Sequence, residues 1–172
     1  RVSKPTVAIV GRPNVGKSTL FNRVLGGRRA IVSERPGTTR DRHFGDAEWN
    51  GRRFWVVDTG GLIPNSSDSM DVAIRRQVQA AVQAADLVVL VVDGAEGVNP
   101  VDQEIAAQLR SSRRPVLVVV NKMDDLPAST GHLQFYELGL GDPVPVSAQI
   151  GKSSGDMLDT IVGMLPPKDP AE

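Results

Sequence analysis

Short apolar runs rich in β-branched residues recur along the chain, separated by longer stretches in which polar and apolar positions mix at helical spacing. The runs are Thr6 to Val10 (T-V-A-I-V), Arg53 to Asp58 (R-F-W-V-V-D), Leu87 to Asp93 (L-V-V-L-V-V-D), Val116 to Asn121 (V-L-V-V-V-N) and Val144 to Ser147. They do not alternate apolar with polar, which suits strands covered on both faces and therefore a mostly parallel sheet. Ser18 to Leu25, Asp71 to Ala84, Val101 to Arg110 and Gly155 to Leu165 carry the helical pattern. Strand and helix in repeated alternation predict a doubly wound α/β domain. Asn50-Gly51 is a strong two-residue hairpin turn, so a sixth strand at one edge is expected to run antiparallel to the rest. Arg28 to Phe44 and Gly60 to Ser69 have the composition of loops. The tail from Pro167 reads as a proline-rich linker, which places the expected domain at 1–166 and the linker stub at 167–172.

The first run ends in a pattern with chemical content. Directly after Val10 stand Gly11, Arg12, Pro13, Asn14, Val15, Gly16, Lys17, Ser18 and Thr19. G-x-x-x-x-G-K-S between a strand and a helix is a P-loop, the phosphate cradle of P-loop NTPases. Its glycines let successive N–H groups turn toward the α- and β-phosphates, and the helix adds its N-terminal dipole. Lys17 is expected to reach the β- and γ-phosphates as a point charge, and the Ser18 hydroxyl to ligate Mg²⁺. The plain alternative is a glycine turn capping a helix. A second G-K-S, Gly151-Lys152-Ser153, has Val146 where the first glycine would stand and is expected to be a loop.

Asn121-Lys122-Met123-Asp124 follows the fourth run and bears on which base is bound. A carboxylate at Asp124 can accept from the ring N–H and the exocyclic amine of guanine, whereas adenine presents a bare acceptor at that ring position. Missing hydrogen bonds of this kind discriminate by roughly 10⁴-fold. Asn121 is expected to tie this loop to the P-loop, the Lys122 stem to lie along the base, and the backbone at Ser147-Ala148 to meet guanine O6. Alone, each stretch reads more readily as an ordinary loop, Ser147-Ala148 carrying almost no signal; their order after these strands is what counts. Asp58-Thr59-Gly60-Gly61 ends the second run. Asp58 is expected to hold the Mg²⁺ shell through water, and the Gly61 N–H to approach a γ-phosphate. The alternative there is an aspartate-initiated turn. Asp93-Gly94 also ends a strand but has no such context, and is expected to be structural.

G-R-P-N-V-G-K-S-T-L-F-N, P-G-T-T-R-D-R, D-T-G-G-L, N-K-M-D and S-A resemble, in order and spacing, the Era-like GTPases of the translation-factor class. Within that class the likeness is greatest to the first G domain of the tandem-domain bacterial members. It extends to F-Y-E-L-G-L-G from Phe135 and G-D-M-L-D-T-I from Gly155. The resemblance implies a GTP-hydrolysing switch that takes GTP, GDP and Mg²⁺. It further implies that Thr39, in preference to Thr38, contacts Mg²⁺ and γ-phosphate only in the GTP state, and that the two loops become ordered with it. Leu62 stands where Ras-like proteins carry the glutamine that orients the attacking water, and leucine cannot polarise water. By the same likeness Asn14 helps coordinate K⁺ where an arginine finger's charge would sit; the alternative is that Asn14 only shapes the loop. Slow, K⁺-stimulated hydrolysis is therefore expected. The tandem-domain relatives carry a second G domain and a KH-like domain, both absent here, and act in assembly of the large ribosomal subunit. The chain is accordingly expected to be an amino-terminal fragment that meets the subunit or its RNA through a parent protein. It departs from the relatives at Ile150-Gly151, where a histidine-glycine pair is common.

Composition narrows the alternatives. The chain has 172 residues, 40% of them hydrophobic, enough for one domain with a sizeable core. Twenty basic and twenty acidic residues cancel, so no global field draws it to nucleic acid. With no cysteine, disulfides, thiolate metal sites and cysteine nucleophiles are excluded, and the apolar runs are too short to span a bilayer. A cytoplasmic, monomeric domain is expected. The arginine pairs, Arg75-Arg76 and Arg113-Arg114 among them, read as solvated faces, with a ribosomal RNA contact as the other reading. Beside the GTPase stand a regulatory GDP/GTP-binding interaction module with little turnover, kept open by Leu62, and an ATP-using P-loop kinase, which N-K-M-D disfavours.

Overall fold

A computed structural model describes residues 4–26, 44–62 and 69–167. Among the described residues, six strands form one sheet: β1 (Thr6–Val10), β2 (Phe44–Trp49), β3 (Arg52–Asp58), β4 (Leu87–Asp93), β5 (Val116–Asn121) and β6 (Val144–Pro145). Their spatial order is β2-β3-β1-β4-β5-β6. Only β2 is antiparallel, joined to β3 through Asn50 and Gly51, both at positive φ as a two-residue hairpin of this kind requires. The expected architecture is therefore present.

The apolar runs bury both faces because alternate residues point to opposite sides. Val7 and Ile9 of β1 join a cluster with Leu20, Phe21, Phe54 and Ile161, under α1 (Lys17–Leu25) and α5 (Ser154–Met164). Ala8 and Val10 join the opposite cluster with Ile74, Val78, Ile105 and Phe135. That second layer consists of α3 (Met70–Ala84), α4 (Pro100–Ser112) and the 3-10 helix Gly131–Leu138. Each fully buried aliphatic side chain contributes about 1.5–3 kcal/mol, so the two layers hold β1 in place from both sides. Helix starts follow local chemistry. The Ser69 hydroxyl accepts the Val72 N–H at the head of α3, and Asn99 with Asp102 forms a capping box before Pro100 at the head of α4.

The hairpin is fastened to the last helix. The Trp49 indole N–H donates to Asp159 Oδ1 at 2.7 Å, and Asn50 Nδ2 donates to the same oxygen at 3.2 Å. On the other face of the hairpin, Trp55 stacks against Phe44 with ring centroids 5.0 Å apart. Lys4 Nζ lies 3.6 Å above the Trp55 ring.

Several expected boundaries move. Phe44 opens β2 instead of closing a loop. Gly60 to Ser69 was expected to be loop throughout; instead Thr59–Leu62 forms a short helix, α2, and Ser69 caps α3. The last strand is short: its ladder with β5 covers Val144–Pro145, Val146 still donates to the Val120 carbonyl at 2.8 Å and accepts the Met123 N–H at 3.0 Å, and the chain then enters a turn in which the Gly151 N–H donates to the Ser147 carbonyl at 2.8 Å. Residues 1–3, 27–43, 63–68 and 168–172 lie outside the described residues, and with them Thr39, most of the first expected loop and most of the tail.

Candidate functional site

In an open parallel sheet, ligands bind beyond the carboxyl ends of the strands where the strand order reverses. Here that point is β1, flanked by β3 and β4. Gly11, Asp58, Asp93 and Asn121 end or follow the four central strands, with Ile9 opposite Asp58 and Asp93 opposite Asn121. Four polar chain ends thus meet at one edge.

Gly11 leaves the sheet so close to β4 that a Cβ would lie 2.6 Å from the Val91 carbonyl oxygen. The loop turns through left-handed residues at Asn14 (φ 72°) and Gly16 (φ 95°), and Gly16 is the N-cap of α1. Alternating handedness of this kind points successive N–H groups to one side, at the positive end of the helix. Val15 is fully buried and pins the middle of the loop, while Pro13 and Asn14 stay exposed at its lip. Lys17 folds back over the loop, its Nζ donating to the carbonyls of Gly11 at 2.9 Å and Arg12 at 3.0 Å. Burial holds its pKa below the ordinary lysine value, partly opposed by the carboxylate of Asp58.

The Ser18 hydroxyl lies 3.4 Å from Asp58 Oδ2, and the Gly60 N–H donates to Asp58 Oδ1 at 3.2 Å. Buried Thr59 donates its hydroxyl to the Ile9 carbonyl at 2.9 Å, locking the end of β3 to β1. Both the carboxylate-initiated turn and the juxtaposition with Ser18 are thus present at Asp58. Gly61 and Leu62 close α2. A hydroxyl and a carboxylate, both oxygen donors and only two in number, suit Mg²⁺, which keeps waters and takes phosphate oxygens instead of a protein cage.

Asn121 joins the two halves of the site. Its Nδ2 donates to the Val15 carbonyl at 2.9 Å, and its Oδ1 accepts the Ala148 N–H at 3.0 Å. Gly16 passes so near that a Cβ there would sit 2.3 Å from Asn121 Nδ2. Asp124 Oδ1 accepts from the Ser147 hydroxyl at 2.6 Å. Lys122, at φ 65°, donates to the Asn14 carbonyl at 2.7 Å and pairs with Asp93 at 3.0 Å. The Met123 side chain is buried and belongs to the core. Thr19 and Ala148 share a shallow depression with Asn22, Arg23 and Gly26. The amides expected to face O6 both have protein acceptors: Ser147 N–H donates to Lys152 O at 3.0 Å, and Ala148 N–H to Asn121. A base carbonyl there would share the Ala148 N–H.

Four contributions went unread in the sequence. Arg12 sends its guanidinium away from the loop to Glu96 at 2.8 Å and Asp102 at 3.4 Å, so it anchors the loop to α4. Burial raises the pKa of Asp102, with Arg12 pulling it back. Lys152, in the second G-K-S, donates to the Asp124 carbonyl at 2.7 Å. Gln77 of α3 accepts the Gly11 N–H at 2.8 Å. Asp93 is structural, as expected, but what it supports is Lys122. The signal for Asp93 was its place, a polar strand end in register with Asn121; that for Gln77 was a lone amide on the buried face of α3.

Burial alone would raise the Asp93 pKa, yet the Lys122 ammonium and the N–H groups of Ala95 and Glu96 outweigh it and hold the pKa below the ordinary aspartate value. A carboxyl depressed on folding stabilises above its unfolded pKa of about 3.9 and loses that contribution as pH falls through the folded pKa. Asp93→Asn should therefore cost roughly 1–3 kcal/mol near neutral pH. The gap to the parent chain should narrow below about pH 4, read by urea unfolding at a series of pH values.

Residues 6–122 match the protein family described as 50S ribosome-binding GTPase. The protein called GTPase Der from Gemmatimonas aurantiaca is 59% identical over 165 residues, 96% of this chain and 38% of that protein, so the chain spans well under half of the relative's length. The crystal structure of Era in complex with MgGDPNP and a segment of 16S ribosomal RNA superposes with a TM-score of 0.76 at 34% identity, covering 99% of this chain and 59% of that one. A variant of Aquifex aeolicus Era bound to GDP and AlF₄⁻ superposes with a TM-score of 0.75, also at 34% identity, covering 99% and 60%.

Proposed function

Because the chain belongs to the family of 50S ribosome-binding GTPases, we propose that it binds GDP and GTP at the carboxyl end of β1 and hydrolyses GTP as a molecular switch. The observation that carries this is Asn121, bonded at once to Val15 of the phosphate loop and to Ala148 beside Asp124. A purine held by Asp124 and a diphosphate held by residues 11–18 then occupy one rigid unit, and a carboxylate at the base position selects guanine.

In this reading the loop amides bind the α- and β-phosphates, and the Lys17 ammonium, held by the Gly11 and Arg12 carbonyls, turns its remaining N–H toward the β- and γ-phosphates. Ser18 would ligate Mg²⁺ directly and Asp58 through water, with Thr39 joining them in the GTP state, and the ion so held would supply charge neutralisation for the phosphates. Asp58 also holds Gly60, and so presents the following Gly61 N–H to the γ-phosphate. Leu62 supplies no polar group to the attacking water, so Asn14, at the exposed lip, would hold K⁺ where transition-state charge develops, and turnover would be slow without that ion. In the parent protein the switch serves assembly of the large ribosomal subunit; the likeness to an Era bound to ribosomal RNA supports an RNA-containing partner. The apolar Leu62 equally supports a second reading, a GDP/GTP-binding module with little turnover, and single-turnover phosphate release distinguishes the two.

Calorimetric titration of the nucleotide-free chain with GDP, GTP and ADP in Mg²⁺ should give tight binding of the first two and at least about 10³-fold weaker binding of ADP; comparable ADP affinity would remove the guanine assignment. Hydrolysis should be faster in KCl than in NaCl, with the difference lost in Asn14→Asp. Equal rates in both salts would remove the potassium role.

A further inference from the structure

Where β1 ends, the chain faces an accounting problem. Val10 is still paired with Leu90 of β4, but Gly11 has left the ladder and passes against the Val91 carbonyl. Its N–H is buried, and a buried donor without an acceptor costs on the order of 1–3 kcal/mol. The later amides of the loop must stay available for phosphate oxygens. The first amide is therefore the one that the fold can use to anchor the loop without weakening the cradle.

The acceptor comes from a distant helix. Gln77 lies on the face of α3 that otherwise buries Ile74, Val78 and Ala81, and is itself 8% exposed. Its Oε1 accepts the Gly11 N–H at 2.8 Å, across 66 residues of sequence. The Gly11 carbonyl in turn accepts from Lys17 Nζ at 2.9 Å. A continuous hydrogen-bonded path therefore runs from the side chain of α3 through one residue to the ammonium that would meet the phosphates. An apolar side chain would fill the same space on α3 but could not hold the first peptide of the loop.

We infer that Gln77 is a positioning residue for the diphosphate site: by fixing the Gly11 amide it sets where the phosphate loop starts and where Lys17 is held, and it couples the placement of α3 to nucleotide retention. This rests on the guanine-nucleotide reading of the loop for its functional consequence, while the hydrogen bond itself can be tested without any nucleotide.

In the ¹⁵N,¹³C-labelled 172-residue chain, a scalar coupling across the hydrogen bond between the Gly11 nitrogen and the Gln77 side-chain carbonyl carbon should be detectable, and the Gly11 amide should be protected from exchange. Gln77→Leu should speed Gly11 exchange at least tenfold and GDP dissociation about tenfold, with the ratio of GDP to xanthosine diphosphate affinity unchanged because the base side is untouched. Gln77→Glu, which keeps an acceptor oxygen, should keep the Gly11 amide protected. Equal Gly11 protection in the Leu and Glu variants, or no coupling in the parent chain, would overturn the proposal, and the coupling in the parent chain decides it even if the Leu variant does not fold. A chain that shows the coupling but binds no GDP would overturn the functional reading and leave the anchor standing.

Discussion

Asp124→Asn is expected to lower GDP affinity by roughly 10³–10⁴-fold and to make xanthosine diphosphate the tighter ligand. The carboxylate offers acceptors to both the ring N–H and the amine of guanine. An amide keeps one acceptor for the ring N–H and turns a donor toward the second position, where xanthine carries a carbonyl. The change is confined to the base edge, since Asn121 still bridges Val15 and Ala148. Ser147 is no obstacle, because its hydroxyl, now donating to Asp124 at 2.6 Å, can rotate to donate or accept. Competitive displacement of a fluorescent nucleotide measures both affinities. If the variant lost GDP binding and gained nothing for the xanthine nucleotide, Asp124 would not be the base reader.

Gly16→Ala should be the more damaging change to the scaffold. The position has φ 95°, where an L side chain is strained by about 1–2 kcal/mol. The new Cβ would also lie 2.3 Å from Asn121 Nδ2. Either the loop or Asn121 must shift, and each shift breaks the bond between Nδ2 and the Val15 carbonyl. The expected loss is roughly 2–4 kcal/mol of stability together with GDP binding weakened at least about 100-fold. Asn121→Ala in the same background removes the obstructing atom, so the double variant should be more stable than the sum of the two losses predicts. Equilibrium unfolding of the four proteins gives the coupling, and additive losses would show that the two residues do not collide.

Much of this was legible because unalternated β-branched runs admit few interpretations. The strands at Thr6, Leu87 and Val116 stand where their residues place them, and the Asn50-Gly51 turn announced the antiparallel edge. Boundaries were less legible where tertiary context decides them: the last strand gives way to a turn closed between Gly151 N–H and the Ser147 carbonyl, and α2 forms over Thr59–Leu62 despite Gly60 and Gly61. In the site, residues set by a local motif were readable, since the spacing of Gly11, Gly16, Lys17 and Ser18 carries its own geometry. Residues recruited through space were not. Gln77 reaches Gly11 from 66 positions away and Lys152 reaches Asp124 from 28; no local pattern encodes either meeting. Arg12 shows the opposite limit, a motif residue whose side chain serves α4 while its carbonyl serves Lys17.

The fastening of the β2–β3 hairpin has an optical consequence. The chain's two tryptophans, Trp49 and Trp55, both lie in that hairpin, one donating to a carboxylate of α5 and the other beneath the ammonium of Lys4. Indole emission is quenched and shifted by charges at such range, so fluorescence excited selectively in tryptophan, apart from the one tyrosine Tyr136, is a signal from this hairpin at the sheet's antiparallel edge. A ligand that alters it has reached the hairpin, whereas one that binds silently has left that edge where it was.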